Sequence, residues 1–229
     1  MTMTKILNML GGTIALSLVA SSAPAATATA APFPSSSAAA KAMHVITGFR
    51  SAHFGMTEPE VRAAIEHDFK PAGGAVTELD NPIEKTRVIA LRLASLGPAP
   101  GTVNITYIFG ASTQRLIHVN VVWSTGNAPT SDERLQMGTA SAQLAGYFRA
   151  LQWQRGATTA SVAADGSNAV VFAGVDPKDE AVEVRVSGVP IERRGKPSTD
   201  PVGPAVLHLA YFATTGRPDT SNAVKVGSF

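Results

Sequence analysis

Residues 54–69 read FGMTEPEVRAAIEHDF, and the globular part of the chain is predicted to begin here. Thr57 and Glu60 have the spacing of a capping box, in which each side chain satisfies a backbone amide at the start of a helix. Pro59 falls in the first turn, where the amide hydrogen that proline lacks is not needed. Four apolar residues then recur at helical spacing: Val61, Ala64, Ile65 and Phe69. The stretch therefore predicts a helix with one apolar face.

The composition is that of a folded chain without a dominant charge. Of its 229 residues, 45% are hydrophobic and 16% are charged, and the formal net charge is +2. This hydrophobic fraction is enough for a substantial core, whereas nucleic-acid binding requires a clustered basic surface, so no nucleic-acid partner is expected. There is no cysteine, which excludes a lipid-modified N-terminal cysteine, disulfide bonds, a thiol nucleophile and cysteine-based metal sites.

Residues 1–25 have the pattern of a secretory signal peptide. Lys5 precedes an apolar run from Ile6 to Ala20, and Ala23-Pro24-Ala25 places small residues at both positions that cleavage requires. Ala28-Thr29-Ala30 is an alternative cleavage site of the same type. The apolar run is too short for a permanent membrane span. We therefore expect a periplasmic or secreted product without stable membrane insertion after cleavage.

The rest of the chain divides by composition and by the order of its predicted elements. Residues 26–43 are rich in Ala, Ser and Thr, which predicts a flexible leader. Two units of one helix and a sheet are then predicted, at residues 44–126 and 127–215. Residues 216–229 are predicted to be a loose tail.

In the first unit, three amphipathic strands are predicted after the helix. Apolar residues alternate along each of them: Ile89, Leu91 and Leu93; Val103, Ile105, Tyr107 and Phe109; Ile117, Val119, Val121 and Trp123. The connections between them are short and contain Gly, Pro or Ser, which fits hairpins. An antiparallel meander is the simplest arrangement of such strands.

The second unit repeats this order. Thr130 and Glu133 form a second capping box, and apolar residues at helical spacing predict a helix from about Ser131 to Trp153. Three strands are predicted after it: Ala169 to Ala173, Ala181 to Val189, and Ala205 to Ala213. The sequence thus predicts an α+β fold in which helices pack on an antiparallel sheet, as a tandem repeat of a helix followed by about three strands.

The segment FGMTEPEV at residues 54–61 resembles the helix-opening motif of small exported domains in the superfamily of outer-membrane-assembly lipoproteins and β-lactamase-inhibitor proteins. The resemblance covers roughly 16 residues and the order of elements. It implies helices packed on an antiparallel sheet, sometimes in tandem, in exported proteins that bind other proteins. No functional residue carries over, because the matched positions build a helix, and the missing lipidated cysteine departs from the lipoprotein branch.

Motifs for catalysis, metals and cofactors do not emerge from the sequence. The five histidines form no His-x-His or His-Glu-x-x-His pair: His44, His53, His67, His118 and His208. The sequence contains no Gly-x-Ser-x-Gly nucleophile elbow and no glycine-rich phosphate loop. No metal, no cofactor and no catalytic residue is therefore predicted.

One charged loop is a candidate binding feature. The stretch from Ser187 to Pro204 is long for a hairpin and concentrates Arg193, Arg194 and Lys196 at its middle. Guanidinium and ammonium groups in such a loop are suited to phosphate or carboxylate, so this loop is predicted to bind an anionic partner. The alternative is a solvated insertion with no ligand.

Three functional hypotheses follow from these patterns. The first is an exported, non-enzymatic binding or protein-interaction module, whose partner is an envelope protein or a small anionic ligand. The second is a periplasmic hydrolase-type enzyme with a site assembled only in three dimensions. The third is a structural subunit of the envelope. The sequence leaves the oligomeric state open.

Overall fold

The computed structural model describes residues 43–71, 75–163, 168–191 and 200–220. Within these ranges lie two helices, α1 (Glu58–Phe69) and α2 (Ser131–Arg149). A small antiparallel pair of strands, β1 (Gly48–Phe49) and β2 (Ala52–His53), precedes α1. No helix in the described ranges has both the length and the apolar character needed to cross a membrane.

The other eight strands form one antiparallel sheet in the order β3-β4-β5-β6-β10-β9-β8-β7. Four of them follow α1 and four follow α2: β3 (Val76–Asn81), β4 (Thr86–Leu93), β5 (Thr102–Phe109) and β6 (Leu116–Ser124); β7 (Thr158–Val162), β8 (Asn168–Val175), β9 (Ala181–Ser187) and β10 (Val206–Phe212). The last strands of the two halves pair at the centre, where Val121 lies opposite Leu209. The predicted α+β class with an antiparallel sheet is confirmed.

Each helix is followed by four strands in place of the predicted three, and the two additional strands lie at the edges of the sheet. All five residues of β7 are exposed, and four of the six residues of β3 are exposed. Neither strand buries one face, so neither has the apolar alternation by which a strand is recognised in a sequence. Edge strands of this kind are held by backbone hydrogen bonds on one side only.

Helix α1 begins and packs as its sequence predicts. The backbone amide of Thr57 donates to Glu60 Oε2 at 2.7 Å, which completes one half of the capping box. Val61 and Ile65 are buried at 0% and 2% exposure. Phe69, at the end of the helix, is only partly buried and packs against the core from its margin. The predicted cap and apolar face are therefore confirmed.

Helix α2 is shorter than predicted and ends at Arg149 instead of about Trp153. Its capping box is present, since the backbone amide of Glu133 donates to Thr130 Oγ1 at 3.2 Å and Thr130 N donates to Glu133 Oε2 at 2.7 Å. Trp153 lies beyond the helix, and its indole donates to the Phe148 carbonyl at 2.6 Å. This contact satisfies a backbone acceptor in the last turn of the helix.

The core lies between the helices and one face of the sheet. Residues of β5 and β6 that face the helices are each at most 2% exposed: Val103, Ile105, Tyr107, Phe109, Leu116, Val119, Val121 and Trp123. Because successive side chains of a strand point to opposite faces, the alternate residues form a second face that points away from the helices. We call it the open face.

Asp176 joins the start of the described chain to the turn between β8 and β9. Its carboxylate is 4% exposed and accepts hydrogen bonds from the backbone amides of Ile46 at 2.9 Å, Lys178 at 2.7 Å and Glu180 at 3.0 Å. A buried carboxylate is stable when several donors satisfy it. These bonds hold the segment before β1 against the far half of the sheet.

Candidate functional site

Polar side chains occupy the middle of the open face. His208 Nε2 donates to Asn120 Oδ1 at 2.7 Å, and Asn120 Nδ2 donates to Thr106 Oγ1 at 3.4 Å. On the neighbouring strand, Arg185 pairs with Glu183 at 2.8 Å. These groups lie on adjacent strands β5, β6, β10 and β9. These polar side chains are hydrogen-bonded or ion-paired with one another. The apolar part of the open face lies at one end of the sheet, near the β5–β6 and β8–β9 turns.

A segment after β10 covers this end of the sheet. We call residues 213–220 the strap. Its first residue extends the ladder, because Ala213 N donates to the Ile117 carbonyl at 2.9 Å. The strap then reaches the β8–β9 turn, where Asp179 accepts hydrogen bonds from the hydroxyl of Thr214 at 2.9 Å and from that of Thr215. One side of the strap is thereby fixed.

The other end of the strap is fixed to the β5–β6 turn by Asp219. Its carboxylate accepts from the backbone amide of Ser112 at 3.0 Å and from the amide and hydroxyl of Thr113 at 2.9 and 2.7 Å. The hydrogen bonds from Thr113 hold the pKa of Asp219 down at about 2. Residues 216–220 belong to the predicted loose tail, and these contacts correct that prediction for them. Residues 221–229 lie outside the described residues.

The strap and the end of the sheet border a cavity of about 640 Å³ that is partly open to solvent, which we call the strap pocket. Strands β5 to β10 and the strap all contribute to it. Apolar side chains form most of its surface: Ile108, Ile117, Ala157, Ala173, Val175, Ala181, Val182, Phe212 and Pro218.

Ile117 was predicted to share the core face with Val119. A register irregularity between β5 and β6 places Leu116 opposite Phe109 in the core, and Ile117 lines the pocket.

His118 is the histidine in the wall of the strap pocket. Its ring stacks on Phe212 with a centroid separation of 4.3 Å, and its Nε2 is buried without a hydrogen-bond partner among the described residues. Burial lowers the pKa of His118 to about 4. The imidazole is therefore neutral at neutral pH, and this wall is uncharged.

The pKa of His118 predicts a dependence of stability on pH. Its folded-state pKa of about 4 lies below the ordinary 6.5, so the unfolded chain binds the proton first and stability falls as the pH drops from 6.5 towards 4. His118→Leu should remove this loss, which is about 2 kcal/mol at pH 5 relative to pH 7. Urea unfolding at both pH values measures it.

The exposed His53 supplies the control for that measurement. His53→Leu should leave the difference between pH 5 and pH 7 as it is in the unmodified protein. Equal pH dependence of His118→Leu and the unmodified protein would show that His118 is not held neutral by burial.

Two other concave regions are less suitable as ligand sites. A cavity of about 390 Å³ beside the start of α1 contains Lys85, Arg87 and Arg115. Glu58 also lines this cavity and forms an ion pair with Arg87 at 2.6 Å. Part of the positive charge of the cavity is therefore already neutralised. A groove of about 540 Å³ lies between α2 and the outer strands and has no covering segment among the described residues. The described residues contain no group of three or more histidine and carboxylate side chains arranged for a metal ion.

The predicted anion site, Arg193, Arg194 and Lys196, lies outside the described residues, and the site described above was not predicted. Comparisons with protein-family models, curated proteins and solved structures give no match.

Proposed function

We propose that this chain is an exported, non-enzymatic binding protein that holds a small ligand in the strap pocket. The observation that carries the proposal is a cavity of about 640 Å³ under a segment that aspartates fix at both ends. Small-molecule sites typically have volumes of roughly 300–1,000 Å³, apolar walls and few polar groups. Residues 213–220 contain no helix or strand, and the hydrogen bonds of Asp179 and Asp219 attach them to the two turns beside the cavity.

The first residues have the pattern of an export signal, which the binding, hydrolase and structural hypotheses share. Two other features favour binding over a hydrolase. The sequence has no recognised nucleophile motif. The segment at residues 54–61 resembles exported domains that act by binding.

A tandem repeat is part of the proposal: the order of one helix and four strands occurs twice, and the sheet order is symmetric about the β6–β10 pair. Such a duplication would place the pocket beside the junction of the halves.

Loosening the strap should weaken binding. Asp219→Ala removes the acceptor for Ser112 and Thr113, so the wall of the pocket is no longer fixed, and we expect the affinity for an apolar fluorescent probe to fall about tenfold, or roughly 1.4 kcal/mol. Fluorescence titration of the mature protein with N-phenyl-1-naphthylamine measures this loss. Asp80→Ala, at an exposed carboxylate of β3, is the control and should bind as the unmodified protein does.

A second pair of variants tests the strap without removing the aspartate. A methyl group at Gly110 would overlap the Asp219 carboxylate, whereas one at Gly126 would meet no atom within 4 Å. Gly110→Ala should therefore weaken probe binding and Gly126→Ala should not. The proposal is wrong if the unmodified protein binds no small molecule, or if it turns over ester or amide substrates that the strap variants no longer hydrolyse.

A further inference from the structure

We infer that the strap pocket selects a neutral, largely apolar molecule and rejects an anion of the same shape. This inference rests on the proposed function, because it concerns the ligand class of the same cavity. The neutral ligand class differs from the anionic ligand that the sequence predicts at the loop of Arg193 and Arg194.

The walls favour an apolar ligand because they carry apolar surface that the fold leaves partly uncovered. Ile108 and Ile117 on one side, Phe212 in the middle, and Val175 and Ala181 on the other side are all partly buried. The free energy gained on binding rises with the apolar surface that a ligand removes from water. A molecule that spans these strands therefore gains most of its binding energy from burial.

The charges around the cavity disfavour an anion. Glu84, Glu183 and Asp219 line the pocket together with one guanidinium, that of Arg217. The neutral His118 adds no positive charge, because burial lowers its pKa to about 4. Even with Arg185 paired to Glu183, the carboxylates around the cavity outnumber the guanidinium groups by one, so a carboxylate or sulfonate would lose its hydration there without gaining a net attraction.

A cationic ligand is also disfavoured, because the carboxylates already have partners. Arg185 binds Glu183 at 2.8 Å, and Asn81 Nδ2 donates to Glu84 at 3.2 Å. Asp219 accepts three hydrogen bonds from Ser112 and Thr113. A cation would have to displace these internal partners to gain a charge contact. A neutral ligand requires no such displacement.

Two fluorescent probes with the same aromatic skeleton test the inference. N-phenyl-1-naphthylamine is neutral, and 1-anilinonaphthalene-8-sulfonate adds one negative charge to the same rings. At pH 7 we expect the mature protein to bind the neutral probe at least about tenfold more tightly than the sulfonate, a difference of roughly 1.4 kcal/mol. Equal or tighter binding of the sulfonate would overturn the ligand class and leave the proposed function intact. Binding of neither probe would count against the proposed function itself.

Charge variants then test the cause of the preference. Glu84→Gln combined with Glu183→Gln removes two carboxylates from the lining and should narrow the preference for the neutral probe severalfold, chiefly through tighter binding of the sulfonate. Glu66→Gln, at an exposed position of α1, is the matched control and should leave the ratio unchanged. An unchanged ratio in the double variant would show that the carboxylates do not exclude the anion.

Filling variants locate the bound probe. Ala181 on β9 and Thr159 on the edge strand β7 both line the strap pocket, so Ala181→Phe and Thr159→Phe should each reduce affinity for the neutral probe about tenfold or more. Ala142→Phe fills the groove beside α2 instead and should have no effect. Loss of binding in Ala142→Phe alone would place the probe in that groove and overturn the inference. Thermal unfolding of each variant shows which of them remain folded, and the test uses those.

Discussion

Ile65→Ala should destabilise the protein by about 2–5 kcal/mol. Ile65 lies in the middle of α1 at 2% exposure, so the substitution leaves a cavity between the helix and the core. This is a large fraction of the total stability of a typical domain, which is roughly 5–15 kcal/mol. Denaturant unfolding measures the loss as a decrease in the midpoint with an unchanged slope.

Arg62 is the control for this prediction, because it lies on the same helix but at the surface. The sequence places it on the solvent face; the structure shows it in an ion-pair network with Glu58 at 2.9 Å and with Glu78 on the edge strand β3. The Arg62 side chain is 36% exposed, and pairs at such positions contribute about 0–1 kcal/mol. If Arg62→Ala were as damaging as Ile65→Ala, the assignment of the apolar face would be wrong.

Asp176→Ala should cost about 2–4 kcal/mol, because it leaves the amides of Ile46, Lys178 and Glu180 without their acceptor in a buried place. Asp176→Asn should cost less. Its remaining oxygen can still accept from Lys178 and Glu180, while its amide group faces the donor of Ile46. Urea unfolding gives the order of the two variants, and hydrogen exchange of the Ile46 amide should accelerate in both. Equal stability of Asp176→Ala and the unmodified protein would contradict this role.

The helices and six of the strands could be predicted because their signals are local. Thr57 and Glu60 are three residues apart, and the apolar residues of β5 and β6 alternate within single strands. Capping and burial on one face both leave a short-range pattern. The edge strands β3 and β7 bury no face, so their sequences carry no such pattern.

The strap pocket could not be predicted because its determinants are distant in the chain. Asp219 bonds to Ser112 across 107 residues, and Thr214 bonds to Asp179 across 35 residues. Because residues near Gly216 and Pro218 show no periodicity of apolar side chains, the sequence predicts a loose tail there. Asp219 next to Thr220, after Pro218, has the composition of a turn, but this gives no indication of what the turn contacts. The cavity arises from the packing of six strands, which no single stretch encodes.

The central position of β10 also sets the order in which the sheet can form. Among the described residues this strand is the last in chain order, and it lies between β6 and β9, hydrogen-bonded to both. Synthesis proceeds from the N-terminus, so β6 and β9 are complete before β10 and have unpaired edges that can pair with other chains. The sheet is complete only when contacts such as that between His208 and Asn120 have formed. These two residues are 88 positions apart in the sequence, and contacts between residues so distant in sequence are slow to form. The two halves of the sheet are therefore joined only after β10, the strand that leads into the strap, has been synthesised.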